Sequence, residues 1–139
     1  MRYWIGVVSK DHVLKGVKDG IIQIGHGKRA PLTRLNRGDQ IIYYSPVQNF
    51  ENKDSLQAFT ALGEVSDDDI YQYDMTIDFH PYRRKANYIK TKDTPIRPLI
   101  DQLDFINNKK SWGYVFRFGL VEIQMNDFKL IKSEMTRNY

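Results

Sequence analysis

The sequence predicts an α+β fold, a pseudo-barrel of short strands with short helices in mixed order. Three observations predict it. About six or seven short runs of β-branched and aromatic residues are separated by Gly, Pro, Asn and Asp turn signals. About four short helical stretches are interleaved with those runs. Finally, the run Gly38-Asp39-Gln40-Ile41-Ile42-Tyr43-Tyr44-Ser45-Pro46 is apolar on both of its alternating faces, so both must be covered. The 139 residues suit one domain spanning 1–139, without a repeat or a convincing linker.

Each element has a local reason. Tyr3 to Val8 alternates as a strand, with Tyr3, Ile5 and Val7 opposite Trp4, Gly6 and Val8. Ser9 is a suitable N-cap for a helix carrying Val13, Leu14 and Val17, weakened by Gly16 and ended by Gly20. Ile21 to Ile24 is a second strand with one polar residue, Gln23, before the cationic loop Gly25-His26-Gly27-Lys28-Arg29. Pro31 suits the first turn of a helix over Ala30 to Leu35. In the next strand Tyr43 and Tyr44 must serve opposite faces, and Pro46 stops pairing so that Ser45 sits at a strand mouth.

Residues 46–57 read as a polar loop, followed by a strand from Ala58 to Val65. Asp67-Asp68-Asp69 reads as a solvated turn, and Ile70 to Ile89 as two strands linked through Phe79-His80-Pro81. Thr94 to Pro98 leads rigidly into a helix holding Leu99, Ile100 and Leu103. After a loop at 107–110, Tyr114 to Phe118 alternates as a strand, which Gly119 bends and Leu120 to Ile123 continues. Asn126 or Asp127 caps a last helix holding Phe128, Ile131 and Met135.

Composition excludes several chemistries. The chain has no cysteine, which removes disulfides, thiolate metal sites and Cys nucleophiles. His12, His26 and His80 share no metal-ligand spacing, so no metal or cofactor is expected. Gly25-His26-Gly27-Lys28 lacks the spacing of a phosphate-binding P-loop, and Ser45 has no Gly-x-Ser-x-Gly elbow. The amino terminus lacks the apolar core of a signal peptide, and no apolar run approaches the ~18 residues of a membrane span. A soluble, cytoplasmic protein is therefore expected. The net charge of +4 permits an anionic partner, and the cations cluster at Lys28-Arg29, Arg34, Arg37 and Arg83-Arg84-Lys85.

An ordered set of motifs resembles one family. Tyr-Trp-Ile-Gly-Val-Val-Ser-Lys-Asp-His (3–12), Gly-His-Gly-Lys (25–28) and Gly-Asp-Gln-Ile-Ile-Tyr-Tyr-Ser-Pro (38–46) resemble EVE-domain proteins. So do Ala-Phe-Thr-Ala-Leu-Gly-Glu-Val (58–65), Pro-Tyr-Arg-Arg (81–84), Ile-Arg-Pro-Leu (96–99) and Trp-Gly-Tyr-Val-Phe-Arg-Phe-Gly (112–119). The resemblance implies a PUA-like fold, a mixed β pseudo-barrel flanked by short helices and related to YTH, ASCH and PUA domains, with an aromatic-walled pocket for a modified base of DNA or RNA. Fold kinship alone does not transfer function, so the residues must be weighed themselves.

A protein that grips an unstacked base needs flat apolar walls, a few polar groups for the base edge, and cations for the backbone. The candidate ligand-binding residues are Tyr44 and Trp112 as walls, with Ser9, Gln23, His26, Ser45 and Pro46 at the edge. Lys28, Arg29, Arg83, Arg84 and Arg117 are the phosphate-binding candidates. Plainer roles stay open: Trp4 and Tyr44 suit a core, Ser9 a helix cap, Ser45 a turn. The expected function is a non-enzymatic module for a modified or unpaired base of RNA or DNA. The alternatives are a general structured-RNA or transfer-RNA binder, or a ribonuclease or hydrolase using His26 or Ser45.

Overall fold

The computed structural model describes residues 1–137. Strands β1 (Tyr3–Val7), β2 (Ile21–Ile22), β3 (Gln40–Val47), β4 (Ser55–Val65), β5 (Tyr71–Gln72), β6 (Tyr82–Ile89), β7 (Thr94–Pro95) and β8 (Leu120–Ile123) alternate with helices α1 (Lys10–Asp19), α2 (Arg29–Leu32) and α3 (Met125–Thr136). Short 3₁₀ segments cover Gly25–Gly27, Arg97–Gln102 and Trp112–Phe118. The sheet runs β2-β6-β4-β3-β1-β8, with β5 beside β6 and β7 beside β4, and curls into a half-barrel. Among the described residues only β1 and β3 pair in parallel, which requires the long crossover that α1, β2 and α2 supply. Among the described residues no helix is long and apolar enough to cross a membrane.

The apolar alternation of β3 divides the core in two. Ile42 and Tyr44 join Ile5, Phe59, Leu62 and Phe128 on one face, closed by α3 and the 3₁₀ segment at 97–102. Ile41 and Tyr43 join Trp4, Ile22, Leu32 and Val65 on the other, closed by α1 and α2. Gly63 belongs to this design: a Cβ there would lie 2.7 Å from the Tyr88 ring, which packs directly on the strand backbone.

Several expected boundaries differ. β3 passes through Pro46 to Val47, and β4 begins at Ser55, so the loop between them is shorter than 46–57. Pairing slips around Pro46, which has no N–H to donate. A second slip, between Tyr43 and Tyr44, leaves Thr60 without an opposite partner and places its hydroxyl 2.8 Å from Ser45 Oγ inside the core.

The expected strand at Tyr114–Phe118 is instead part of a 3₁₀ segment. The alternation of Tyr114, Phe116 and Phe118 mimics a strand, but only Phe116 is buried. Tyr114 and Phe118 flank the Arg117 guanidinium, at 3.3 and 4.0 Å from their ring centroids, and Arg117 Nη1 donates to Tyr114 O at 2.8 Å. The expected helix holding Leu99, Ile100 and Leu103 is likewise 3₁₀ at Arg97–Gln102, with Lys109 Nζ donating to the terminal carbonyls of Ile100 and Leu103. α2 stops at Leu32, short of the expected Leu35. Gln124, rather than Asn126 or Asp127, occupies the N-cap of α3. The buried Asp127 carboxylate accepts the N–H groups of Asp104 and Phe105 at 2.9 and 2.8 Å.

A second buried carboxylate closes the turn before β3. Asp39 accepts from Trp4 Nε1, Arg2 N and Asn36 N, each at 3.0 Å. Arg34 lies over the Trp4 ring at 4.9 Å, so Trp4 is a sealed core residue. Asp39→Ala would orphan the buried indole N–H and is expected to cost about 3 kcal/mol. A lower urea midpoint at an unchanged m-value checks this; an unchanged midpoint would show that the carboxylate does not anchor β1 to β3.

Burial also pushes the Tyr43 phenol up to about 12, against a hydrogen bond from Tyr88. Tyr88 is raised well above its ordinary value by its own burial and by Tyr43 beside it. An unfolded tyrosine ionises near ~10, so the unfolded chain loses these protons first. Their stabilising contribution is complete below that pH and is lost at higher pH, for Tyr43 as pH rises towards 12. For Tyr43 alone it amounts to about 2–3 kcal/mol. Burial also raises Tyr44 to about 12, so phenolate absorbance of these three that lags the remaining tyrosines until the chain unfolds is the expected signature.

Candidate functional site

Two clefts open beside the β1–β3 seam. The larger, of about 870 Å³, is lined by Ser9, His12, Gln23, His26, Lys28, Tyr43, Phe50, Phe79, Arg83 and residues 116–119. That volume falls within the ~300–1,000 Å³ of ordinary small-ligand sites. The smaller, of about 570 Å³, is lined by Tyr44, Pro46, Gln57, Lys110, Trp112 and Tyr114. Val7, Phe116 and Arg117 border both.

Sheet register builds the larger cleft. Ile22 pairs with Arg84 in antiparallel β2–β6, so the next residue, Gln23, falls beside Arg83. Arg83 Nε donates to Gln23 Oε1 at 2.9 Å, and the guanidinium covers the Tyr73 ring at 4.1 Å. A guanidinium only donates, so Gln23 must turn its carbonyl towards Arg83 and keep its NH₂ for the cleft. The Arg83 Nη groups have no acceptor among the described residues, and Arg83 lines the cavity. The result is a buried cation and an oriented amide donor side by side.

The rim comes from strained or aromatic residues. Gly27 has φ +80°, and a Cβ there would sit 2.6 Å from Pro81 Cβ, so only glycine lets the loop close against β6. Its neighbour His26 is left-handed at φ 59° and exposed. Phe50 joins the lip, with His12 stacked on it at 5.2 Å and His26 edge-on at 6.2 Å. Ser9 occupies the N-cap of α1, yet its hydroxyl donates to Asp11 Oδ1 at 2.6 Å and accepts no helix N–H. Burial pushes the Asp11 carboxyl up, but the bonds from Ser9, Phe50 N and His12 N outweigh it and leave its pKa lowered.

The predicted residues therefore separate. Ser9, Gln23, His26, Lys28 and Arg83 meet in the larger cleft, whereas Tyr44, Pro46 and Trp112 meet in the smaller; Arg117 borders both. Tyr44 stacks on Phe116 at 4.2 Å and 17°, with Trp112 edge-on at 6.5 Å. Ser45 is fully buried on Thr60 and reaches neither cleft, because its side of β3 faces the core. Arg29 lies in the first turn of α2 and lines neither cleft.

Arg84 is the clearest correction. It is buried, with Nε donating to Asp67 Oδ1 at 2.7 Å, Nη1 to Leu35 O at 2.6 Å and Nη2 to Asp67 O at 2.9 Å, so its donors serve the fold. Asp67 correspondingly is no solvated turn residue; its second oxygen accepts Lys85 N. Phe50 and Phe79 escaped the sequence reading, although Phe50 stands out as the one aromatic residue in an otherwise polar loop. Among the described residues no group of three or more His, Asp or Glu could hold a metal ion.

A family model described as the EVE domain matches residues 2–134. The chain is 54% identical over 129 residues to "UPF0310 protein in gntR 5'region" of Bacillus licheniformis, covering 93% of this chain and 88% of the relative. It is 50% identical over 136 residues to a UPF0310 protein of Mycobacterium avium, covering 98% and 99%. Among solved structures it resembles Rpa0253 of Rhodopseudomonas palustris, with TM-score 0.56 and 15% identity over 100% of this chain and 96% of that one. It also resembles the MmI1 YTH domain, with TM-score 0.54 and 12% identity over 94% and 92%. These structural likenesses establish a YTH-like, PUA-like fold.

Arg84→Leu would leave the partly buried Asp67 without its partner and is expected to cost about 3 kcal/mol. Arg83→Leu, whose partner Gln23 is neutral, should cost less than half of that in the same denaturation experiment. Equal losses would contradict the division between a structural and a cleft-facing arginine.

Proposed function

The chain belongs to the EVE-domain family, and we propose that it is a non-enzymatic nucleic-acid-binding module that holds an unstacked, modified base in the larger cleft. The Arg83–Gln23 pair carries this reading. It sets an oriented amide donor and a cation between the Tyr43, Phe50 and Phe116 walls, the combination that a base edge and its phosphate require. Stacking of about 1–3 kcal/mol tolerates any base, so selectivity falls to the Gln23 NH₂ and to Ser9.

An added methyl on the base would meet the apolar lining around Ile24, Phe79 and Phe116. Burying one such group favours the modified base by roughly 0.8 kcal/mol, and more where it displaces ordered water. Lys28 and Arg117 at the rim suit the flanking phosphates. Recognition is favoured over turnover because the offered nucleophile and acid–base group are separated. Ser45 is sealed against Thr60, while His26 stands exposed at the rim.

Titration calorimetry with single-stranded RNA and DNA tests this, using 5-methylcytosine, 5-hydroxymethylcytosine, N6-methyladenine or no modification. One modified base should bind several-fold more tightly than its parent, and Gln23→Ala should erase that preference. Lys28→Gln should reduce the salt slope of log K by about 0.7. Equal affinity for every base would leave only a general RNA-binding role, and no binding to any oligonucleotide would falsify the proposal.

A further inference from the structure

The smaller cleft repeats the polar chemistry of the larger one. Arg97 Nε donates to Gln57 Oε1 at 2.8 Å, just as Arg83 Nε donates to Gln23 Oε1 at 2.9 Å. In both pairs the donor-only guanidinium fixes the amide orientation and leaves the glutamine NH₂ as the free group. Gln57 lines the smaller cleft, and its NH₂ has no acceptor among the described residues.

Three further features make this a built site rather than a surface dent. Gln57 is one of three non-glycine residues with positive φ among the described residues, at 56°, so backbone strain falls on the residue that presents the amide. Trp112 is half-buried beside it, with Arg97 over the indole at 5.3 Å and Tyr44 edge-on behind it. The lining holds the cations Lys110 and Arg117 and no carboxylate. A flat apolar surface, an oriented donor and positive charge without acidic groups suit a second base and its phosphate.

The two clefts are also contiguous. Val7, Phe116 and Arg117 form a shared wall, and Arg117 is held there between Tyr114 and Phe118 with Nη1 on Tyr114 O. A cation immobilised on the partition is placed to meet a phosphate that links one occupant to the next.

We propose that the smaller cleft is a second base subsite, taking the nucleotide that adjoins the one in the larger cleft. The base lies against Trp112, the Gln57 NH₂ donates to an acceptor on its edge, and Arg117 holds the linking phosphate. This assignment rests on the larger cleft binding a base. It makes the protein a reader of two successive nucleotides, with a preference at the adjoining position for bases offering an acceptor to Gln57.

Calorimetry of the full chain with dinucleotides tests it. Each carries 5-methylcytosine or N6-methyladenine followed either by a normal base or by an abasic sugar, so that both ligands contain the same phosphate. The second base is expected to tighten binding about tenfold over the abasic ligand and to quench Trp112 emission. Gln57→Glu keeps an oxygen for Arg97 but replaces the free donor by an acceptor, and should reduce that tenfold ratio to within twofold. Gln57→Gly removes the amide while relieving the positive φ, so it should fold and give the same collapse. Gln23→Ala should weaken both ligands and preserve the ratio. A ratio near one in the unaltered chain, or a ratio that survives both Gln57 variants, overturns the second subsite while leaving the larger cleft's role standing. Absence of binding by either ligand overturns both.

Discussion

Strand β3 is apolar on both faces, and burying both faces at once organises the rest of the molecule. Ile42 and Tyr44 need cover on one side, Ile41 and Tyr43 on the other, and neither set can reach the other across the pleat. The solution is a curled sheet with α3 and the 3₁₀ segment at 97–102 on one side and α1 and α2 on the other. β1 joins β3 in parallel because the intervening chain must first travel over the second face to cover it. The clefts lie at the seam where the covering segments diverge, with Tyr43 contributing to one and Tyr44 to the other.

That arrangement imposes a cost on every polar group caught inside, and local bonds offset it. Asp39 gathers three N–H groups at the turn before β3. Ser45 meets Thr60 at the bulge, and Arg84 meets Asp67 and the carbonyls of Leu32 and Leu35. Among the described residues, no side-chain nitrogen or oxygen that is wholly shut off from solvent lacks a partner. Several side chains that look chemically active in the sequence are in this sense structural, since a buried donor left unpaired would cost about 1–3 kcal/mol.

Arg83 and Arg84 show how one register decides between fold and site. Adjacent residues on β6 point to opposite faces, so only one guanidinium can enter the cleft beside Gln23. Alternation separates the two in the sequence as well, along with Arg83 and Lys85 on a common side. Which side faces inwards depends on the pairing of β6 with β2, some sixty positions away in the chain, and no local pattern carries that information. The same long-range dependence explains the split of Tyr44 and Trp112 from Ser9 and Gln23.

Where periodicity and capping act locally, the sequence was sufficient. It determined β1, α1 with its end at Gly20, the two-faced β3, the burial of Phe128, Ile131 and Met135, and the α+β class, because hydrophobic period and turn chemistry are properties of neighbouring residues. It also carried the family's ordered motifs, which match the EVE domain across residues 2–134. Tertiary structure alone decided that Trp112–Phe118 winds as 3₁₀ around Arg117, that Ser45 is sealed, and that Gln23 and Gln57 each receive an arginine. Those outcomes depend on partners distant in the chain, and an amide can be oriented only once the guanidinium that orients it has been brought beside it.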